Sequence, residues 1–173
     1  MAETKVYESY GFFLFKIENH VPKILLLQST HLSSLPFHLS IPKGKAEESD
    51  YSTVDTALRE LLEETDLGVA DIKIIDMPAQ KYVYSIYKDD VKCEKSVTGY
   101  FAVQTSEKAV ILSDEHINFE WASKGRLYQL LELGLQDFLL TAYVDAINNF
   151  EDHYINNLVP NMPVGAMMKH FNK

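Results

Sequence analysis

The stretch RELLEETDLG, residues 59–68, places Glu60, Glu63 and Glu64 close together near the end of a predicted helix. Spacings of three and four residues project these carboxylates from one side of the helix. Like charges four residues apart repel by about 0.2–0.5 kcal/mol, and the C-terminal end of a helix disfavours anions. We therefore expect a compensating positive charge at this site.

The surrounding segment predicts the helix itself. STVDTALRELLEETD (52–66) has helical periodicity, and Ser52 followed three residues later by Asp55 is typical of a capping-box helix start. The predicted apolar stripe consists of Val54, Ala57, Leu58, Leu61 and Leu62. The acidic side chains are expected on a different side of the helix from this stripe.

Length and composition indicate one domain of ordinary globular type. The chain has 173 residues, of which 46% are hydrophobic and 24% are charged. The net charge of −9 argues against an extended nucleic-acid or acidic-membrane surface and leaves a local basic pocket open. Because Cys93 is the sole cysteine, an intrachain disulfide and an all-cysteine zinc site are excluded.

Targeting patterns are not evident in this sequence. MAETKVYESYGF lacks the basic-then-apolar order of a secretory signal, and FFLF and ILLL are far shorter than the roughly 20 apolar residues that span a bilayer. We expect a cytoplasmic protein without membrane contact, and a nuclear pool stays open.

The order of elements predicts an α+β fold with a mixed sheet between helices. Residues 5–17 and 23–29 are rich in strand formers and flank the turn-like ENHVP, which predicts a hairpin. Further strands are predicted within 69–77, 80–88, 95–105 and 117–123, with a short strand and a long loop within 36–51 and helices from Lys124 onward. The predicted domain covers 1–155, and 156–173 reads as an irregular tail.

Three clustered carboxylates that face a cleft form a hard-oxygen site suited to Mg²⁺ or Mn²⁺. The alternative is a solvated acidic surface without a ligand. Arg59 precedes Glu63 by four residues, so it either holds a carboxylate in position or forms an exposed ion pair worth less than about 1 kcal/mol.

The segment from Gly44 to Leu67 resembles the Nudix box, in which a glycine, five residues, a glutamate and seven residues precede Arg-Glu-apolar-x-Glu-Glu-x-Gly-apolar. The matching positions are Gly44, Arg59, Glu60, Leu61, Glu63, Glu64 and Leu67. One extra residue lies between Gly44 and Arg59, so the early glutamate corresponds to Glu47, Glu48 or Asp50. Asp66 stands where the pattern has glycine, and aspartate tolerates a left-handed helix end better than most residues.

The resemblance continues from Tyr10 to Tyr143. YGFFLF, ILLLQS, FHLSIPKGK, KSVTGYFAV and LSDEHINFEW look like the eukaryotic asymmetrical diadenosine tetraphosphate hydrolases. This resemblance implies a Nudix-type α/β/α sandwich that hydrolyses a dinucleoside polyphosphate, most simply diadenosine tetraphosphate to ATP and AMP, by direct attack of water. The implied partner is a small nucleotide, with no extended nucleic acid, and the oligomeric state is open.

Site roles follow from the same resemblance. The expected metal ligands are Glu60, Glu63, Glu64, Glu115 and the backbone carbonyl of Lys43, and the expected catalytic residues are Arg59, Glu63 and Glu115. The expected substrate-binding residues are His38, Lys43, Lys95 and Tyr84, with Tyr82 as the alternative for stacking on adenine. His116, Phe119 and Trp121 are expected to pack or to hold the loop, without a chemical role.

Two other functions remain open at this level. Diphosphoinositol polyphosphates and capped RNA ends are processed through the same box, although both are expected to favour a larger basic surface than a chain of net charge −9 offers. A non-catalytic domain that senses nucleotides is the alternative outside enzymes.

Overall fold

The computed structural model of the chain describes residues 4–30, 38–134 and 137–158. In chain order the strands are β1 (Val6–Glu18), β2 (Val21–Ser29), β3 (Leu39–Ser40), β4 (Lys43–Gly44), β5 (Ile72–Ile74), β6 (Gln80–Lys88), β7 (Val91–Gln104) and β8 (His116–Ser123). The helices are α1 (Thr53–Thr65), α2 (Lys124–Glu132) and α3 (Asp137–Leu158), and a 3₁₀ turn covers Val69–Asp71. Helix α3 continues past the predicted tail boundary at 156, and residues 159–173 lie outside the described part of the chain.

All the described strands belong to one mixed sheet. Strand β1 runs parallel to β7, and the pairs β1–β2, β2–β8 and β6–β7 are antiparallel. The predicted β1–β2 hairpin is confirmed, and its two turn residues, Asn19 and His20, have φ values of 52° and 66°. Left-handed residues at both turn positions match the right-handed twist of the flanking strands. The predicted α+β class with helices on a mixed sheet is confirmed.

Strand β1 is buried on both faces because helices cover the sheet on both sides. The successive side chains Phe12 to Phe15 point alternately to the two faces and are all fully buried. On one face, Phe12 and Leu14 pack with Ala57 and Leu61 of α1. On the other face, Phe13 and Phe15 pack in the core that contains residues of α2 and α3. No helix in the described ranges has the length and apolar character needed to cross a membrane.

Helix α1 begins as predicted but is rotated relative to the predicted stripe. Ser52 has extended backbone geometry, and its hydroxyl accepts a hydrogen bond from the backbone N–H of Asp55. Leu62 is half exposed, whereas Glu64 and Thr65 are buried. The buried face therefore passes through Glu64, and one glutamate of the acidic group lies at the border between the core and the cleft.

The C-terminal end of α1 is held by the segment that leads to β8. Asp66 adopts the left-handed conformation with φ 63°, and the ammonium group of Lys108 donates to its carbonyl oxygen at 2.6 Å. The backbone N–H groups of Ile111 and Ser113 donate to the carbonyls of Thr65 and Glu64. These bonds satisfy carbonyl groups that a helix end leaves unpaired. They also fix the loop that carries Glu115 beside the acidic side chains of α1.

The left-handed backbone conformation of Asp66 predicts different free energies of unfolding for two substitutions. Asp66→Ala should lower the free energy of unfolding by about 1 kcal/mol, because alanine pays the steric cost of this conformation without a helpful polar side chain. Asp66→Gly loses only an exposed ion pair with Lys108 and should be at least as stable as the original chain. Urea denaturation measures both, and equal destabilisation by Ala and Gly would contradict the assignment.

Candidate active site

Glu64 is a buried carboxylate with few partners. Only 5% of its surface is exposed, and its Oε2 atom accepts a hydrogen bond from the backbone N–H of Lys43 at 3.2 Å. Burial, followed by the negative charge of Glu60, raises the pKa of Glu64 to about 8. This carboxylate is therefore short of positive charge, and it faces the cleft where a cation would supply that charge.

Glu60 lies next to Glu64 on the side of α1 that faces β4. Its Oε1 atom accepts a hydrogen bond from Arg59 at 3.0 Å, and burial nevertheless raises its pKa. The carboxylate packs directly against Gly44, where a Cβ atom would overlap it. The glycine that opens the sequence motif therefore leaves room for the Glu60 carboxylate beside β4, which a larger residue would displace.

Arg59 joins the loop after β4 to the outer side of the acidic group. Its guanidinium donates twice to the carboxylate of Asp50, with both distances 3.0 Å, and once to the carbonyl oxygen of Lys45 at 2.9 Å. It also contacts Glu63 at 3.3 Å and Glu47 at 3.5 Å. A two-pronged arginine–carboxylate pair is both directional and strong. Arg59 thus positions its neighbours, and its donors are already in use.

Asp50 forms the two-pronged pair with Arg59 and lies at the spacing of the motif's early glutamate, for which the sequence left Glu47, Glu48 and Asp50 as candidates. Its carboxylate also accepts hydrogen bonds from the backbone N–H of Glu47 and from the hydroxyl of Thr56. The guanidinium of Arg59 is the main reason that the pKa of Asp50 lies well below its usual range. Because five residues separate Gly44 from Asp50, the extra residue of the motif lies between Asp50 and Arg59.

Glu63 has a different environment from the other two glutamates of α1. Its side chain is 55% exposed and pairs with Arg59. It still shares with Glu60, Glu64 and Glu115 a groove of about 470 Å³. The structure therefore brings all four predicted carboxylates to one groove, with Glu63 at its outer side.

Glu115 and His116, where β8 begins, lie close to Glu64. One possible ligand atom of each of the three residues lies within 4.8 Å of the others. The carbonyl oxygen of Glu115 accepts a hydrogen bond from the backbone N–H of Thr30 at 2.8 Å, which ties this loop to the end of β2. The Nδ1 atom of His116 is buried and has no hydrogen-bond partner among the described residues.

His116 was expected only to pack or to hold the loop, and the structure brings a ring nitrogen of it within reach of the acidic group. Burial lowers its pKa, which favours the neutral imidazole that binds metal ions. One indication was available, because His116 directly follows Glu115 in the segment that resembles the hydrolases. That adjacency alone does not show that both side chains turn toward Glu64.

The basic residues predicted for substrate binding border the same region. His38, Lys43, Lys95, Glu64 and Glu115 line one cleft of about 1140 Å³. Burial and the nearby charge of Lys95 lower the pKa of Lys43 to about 8, and burial also lowers the pKa of Lys95. Two like charges brought together beside a cleft are typical of an anion-binding site.

The two predicted stacking tyrosines are neighbours, with ring centres 6.3 Å apart, but they have different surroundings. Tyr84 lines the cleft and lies opposite Lys95 in the β6–β7 pair. Tyr82 packs against Phe13 and Tyr143 instead, and its hydroxyl is buried. Of the two alternatives, only Tyr84 is placed to contact a molecule in the cleft.

A model of the NUDIX domain matches residues 9–142 of this chain. The chain belongs to the NUDIX family. Among curated proteins, none matches the sequence significantly. The assignment therefore rests on the family match and agrees with the mixed sheet and the acidic helix.

Several solved NUDIX structures share the fold. A Caenorhabditis elegans Ap4A hydrolase in a binary complex is similar with a TM-score of 0.62 and 21% identity, over 82% of this chain and 98% of that chain. The Escherichia coli dihydroneopterin triphosphate pyrophosphohydrolase is similar with a TM-score of 0.60 and 16% identity, over 85% and 99% of the two chains. A MutT protein from Methanosarcina mazei Go1 is similar with a TM-score of 0.55 and 20% identity, over 89% of this chain and 99% of that chain. At these identities the likeness establishes the fold alone.

NUDIX enzymes generally use divalent metal ions, and the donor set of this chain fits such an ion. Carboxylate oxygens of Glu64 and Glu115 and a ring nitrogen of His116 lie within 4.8 Å of one another, and Glu60 lines the same groove as the two glutamates. The negative charges of Glu60 and Glu115 contribute to the raised pKa of Glu64. A divalent cation would offset both the free-energy cost of burying these carboxylates and their mutual repulsion.

The Arg59–Asp50 pair predicts a pH-dependent contribution to stability. Because the pKa of Asp50 is depressed in the folded state, its contribution is complete above the unfolded pKa of about 3.9 and is lost as the pH falls below that value. Asp50→Asn should therefore lower the melting temperature at neutral pH, and the difference from the original chain should shrink at about pH 3.

Glu48→Gln is the matched control, because Glu48 is an exposed acidic residue of the same loop. Melting curves between about pH 7 and pH 3 should show no comparable difference for this variant. An Asp50→Asn effect that stayed constant, or grew, on acidification would contradict the pairing.

Proposed function

We propose that the chain is a metal-dependent pyrophosphohydrolase that splits diadenosine tetraphosphate into ATP and AMP. The observation that carries the proposal is that the carboxylates of Glu64 and Glu115 and the ammonium groups of Lys43 and Lys95 open into one cleft. Acidic residues that can bind a metal ion and basic residues that can bind an anion share this cleft, and such a combination suits a phosphate chain bridged by cations.

The metal is proposed to be Mg²⁺, or Mn²⁺ in its place, since the donors are hard oxygens. Glu60, Glu64 and Glu115 would hold it, with Glu63 at the outer side of the groove and the backbone carbonyl of Lys43 as a further ligand. When bound, such ions neutralise phosphate charge and make water a better nucleophile at neutral pH. His116 is a fourth side chain within reach of the same ligand set.

The basic residues receive the phosphate chain. Lys43 and Lys95 supply ammonium groups, and His38 borders them in the same cleft. These groups neutralise the negative charge that accumulates on the departing phosphate. Their partial burial strengthens the interaction, because a charge in a less polar environment is screened less than one in water.

The proposed reaction needs no covalent intermediate. A water oxygen attacks one phosphorus, a new P–O bond forms, and the bridging P–O bond on the opposite side breaks with its electron pair on the leaving nucleotide. We assign proton acceptance from the attacking water to Glu115, which lies near Glu64 on an anchored loop. Arg59, predicted to be catalytic, acts as a positioning residue that holds Glu60 and Glu63.

Tyr84 is proposed to stack on an adenine ring. Its ring is half buried, lies 5.8 Å from the ring of Phe138, and borders the cleft beside Lys95. Stacking on a tyrosine ring is worth about 1–3 kcal/mol per base. The base would then lie next to the lysines that receive the phosphates.

Replacing Glu64 tests the metal side of the proposal. Glu64→Gln keeps the shape of the side chain and its bond from Lys43, so the fold should persist, while turnover should fall by about 10³-fold or more. Glu132→Gln, an exposed change on α2, is the matched control and should retain full turnover. Circular dichroism checks the fold, and near-normal turnover of Glu64→Gln would contradict the assignment.

A panel of substrates tests the identity of the reaction. The chain is incubated with Mg²⁺ and with diadenosine tetraphosphate, a capped dinucleotide and a diphosphoinositol phosphate, and the products are identified by ion-exchange chromatography. ATP plus AMP from the tetraphosphate is expected. Cleavage confined to the inositol compound or to the cap would reject the substrate assignment, and binding without products would favour a sensor.

Tyr84 variants test the base-binding contact. Tyr84→Ala should raise KM for diadenosine tetraphosphate by about tenfold, because the stacking surface is lost, whereas Tyr84→Phe should retain most of the affinity. Steady-state kinetics distinguishes this from a general structural defect, since kcat should change less than KM. Equal KM values for the Ala and Phe variants would exclude a stacking role.

A further inference from the structure

A second group of lysines surrounds one aromatic ring beside the cleft. The ammonium groups of Lys5, Lys45 and Lys88 lie 5.0, 4.8 and 5.1 Å from the centre of the Tyr7 ring. These distances are within the range of a cation–π interaction. We call Lys5, Lys45 and Lys88 the Tyr7 lysine cluster.

The cluster is assembled from three separate segments whose backbones are fixed. The carbonyl of Lys5, just before β1, accepts a hydrogen bond from the N–H of Glu94 at 2.9 Å. The carbonyl of Lys45, just after β4, accepts one from Arg59 at 2.9 Å. Lys88 ends β6 in a tight hairpin with β7. Because the three lysines are far apart in sequence, their convergence is a property of the fold.

The positive charge of the cluster is not balanced within the described structure. Among the described residues, no carboxylate oxygen lies within 4.0 Å of the ammonium group of Lys5, Lys45 or Lys88. This holds although Asp89 and Asp90 directly follow Lys88. Each ammonium group lies within 5.1 Å of the ring centre, so any two of them are at most about 10 Å apart and repel one another. An anion close to them would relieve that repulsion.

The cluster is continuous with the candidate active site. Lys45 and Lys88 line the same cleft as Glu64, Lys43 and Lys95. Tyr7 and Lys95 are direct neighbours in the parallel pair of β1 and β7. The cleft has a volume of about 1140 Å³, larger than the roughly 300–1,000 Å³ of ordinary small-ligand sites. Lys45 and Lys88 therefore add positive charge to the same cleft that contains the acidic residues, Lys43 and Lys95.

We propose that the Tyr7 lysine cluster is a second phosphate-binding subsite. It takes phosphates that a substrate carries beyond those held by Lys43 and Lys95, while Tyr7 holds the ammonium groups in place. This inference rests on the proposed function and refines its substrate class. The cleft can then take dinucleoside polyphosphates with five or six phosphates as well as the tetraphosphate.

The test uses the double variant Lys45→Gln/Lys88→Gln and the matched control Lys81→Gln/Lys92→Gln. The control removes two exposed lysines from the same β6–β7 hairpin, and neither of them lines the cleft. Diadenosine hexaphosphate and tetraphosphate are compared by kcat/KM with Mg²⁺ at low ionic strength. In the Lys45/Lys88 variant the ratio of hexaphosphate to tetraphosphate should fall by about tenfold, and in the control it should stay unchanged.

Binding of inorganic tripolyphosphate, measured by titration calorimetry without metal, provides a readout that does not need catalysis. Its affinity should fall by about tenfold in the Lys45/Lys88 variant and not in the control. An unchanged selectivity ratio, or equal losses in the variant and the control, would overturn the subsite. If the original chain cleaves no dinucleoside polyphosphate, the proposed function fails, and tripolyphosphate binding alone then decides on the subsite.

Discussion

The burial of Glu64 beside Glu60 and Glu115 is the constraint on which the rest of the site depends. Moving an ionised carboxylate out of water costs several kcal/mol unless a counter-charge or hydrogen bonds replace the lost hydration. The chain supplies one backbone N–H from Lys43 to the Glu64 carboxylate and engages Arg59 on the outer side of the group. The remaining negative charge is directed into the cleft, which is the physical reason to expect a divalent ion there.

The end of α1 shows how the fold supports this arrangement. A helix C-terminus opposes nearby anions, but here Lys108 and the backbone N–H groups of Ile111 and Ser113 occupy the terminal carbonyls. The same bonds anchor the loop that carries Glu115. Helix termination and assembly of the acidic group therefore depend on the same hydrogen bonds.

Local patterns in the sequence predicted the parts of the structure that depend on near neighbours. The Ser52 cap and the β1–β2 hairpin are examples, since each depends on periodicity or turn chemistry within a few residues, whereas the mixed sheet was predicted from the order of elements along the chain. The buried face of α1 was less predictable, because Leu62 and Glu64 exchange their expected environments. That exchange depends on how the helix packs against β1, which no local pattern contains.

Long-range convergence explains the other differences. His116 joins Glu64 only because the loop before β8 is tied to α1, and Asp50 pairs with Arg59 across a loop whose path the motif spacing leaves open. The net charge of −9 was expected to disfavour a large basic surface and left a local basic pocket open, and Lys43, Lys95 and the Tyr7 lysine cluster concentrate positive charge at one cleft. A net charge reports the sum of all charges and says nothing about where they lie.

The most direct measurement of the central claim is a crystal structure with Mn²⁺ and a non-hydrolysable diadenosine tetraphosphate analogue, with the metal located by its anomalous scattering. We expect an anomalous peak that marks a Mn²⁺ ion coordinated by the carboxylate oxygens of Glu60, Glu64 and Glu115, with the phosphate chain between the ion and Lys43. Carboxylates that point into solvent with no anomalous peak near them, in crystals whose cleft holds the analogue, would contradict it.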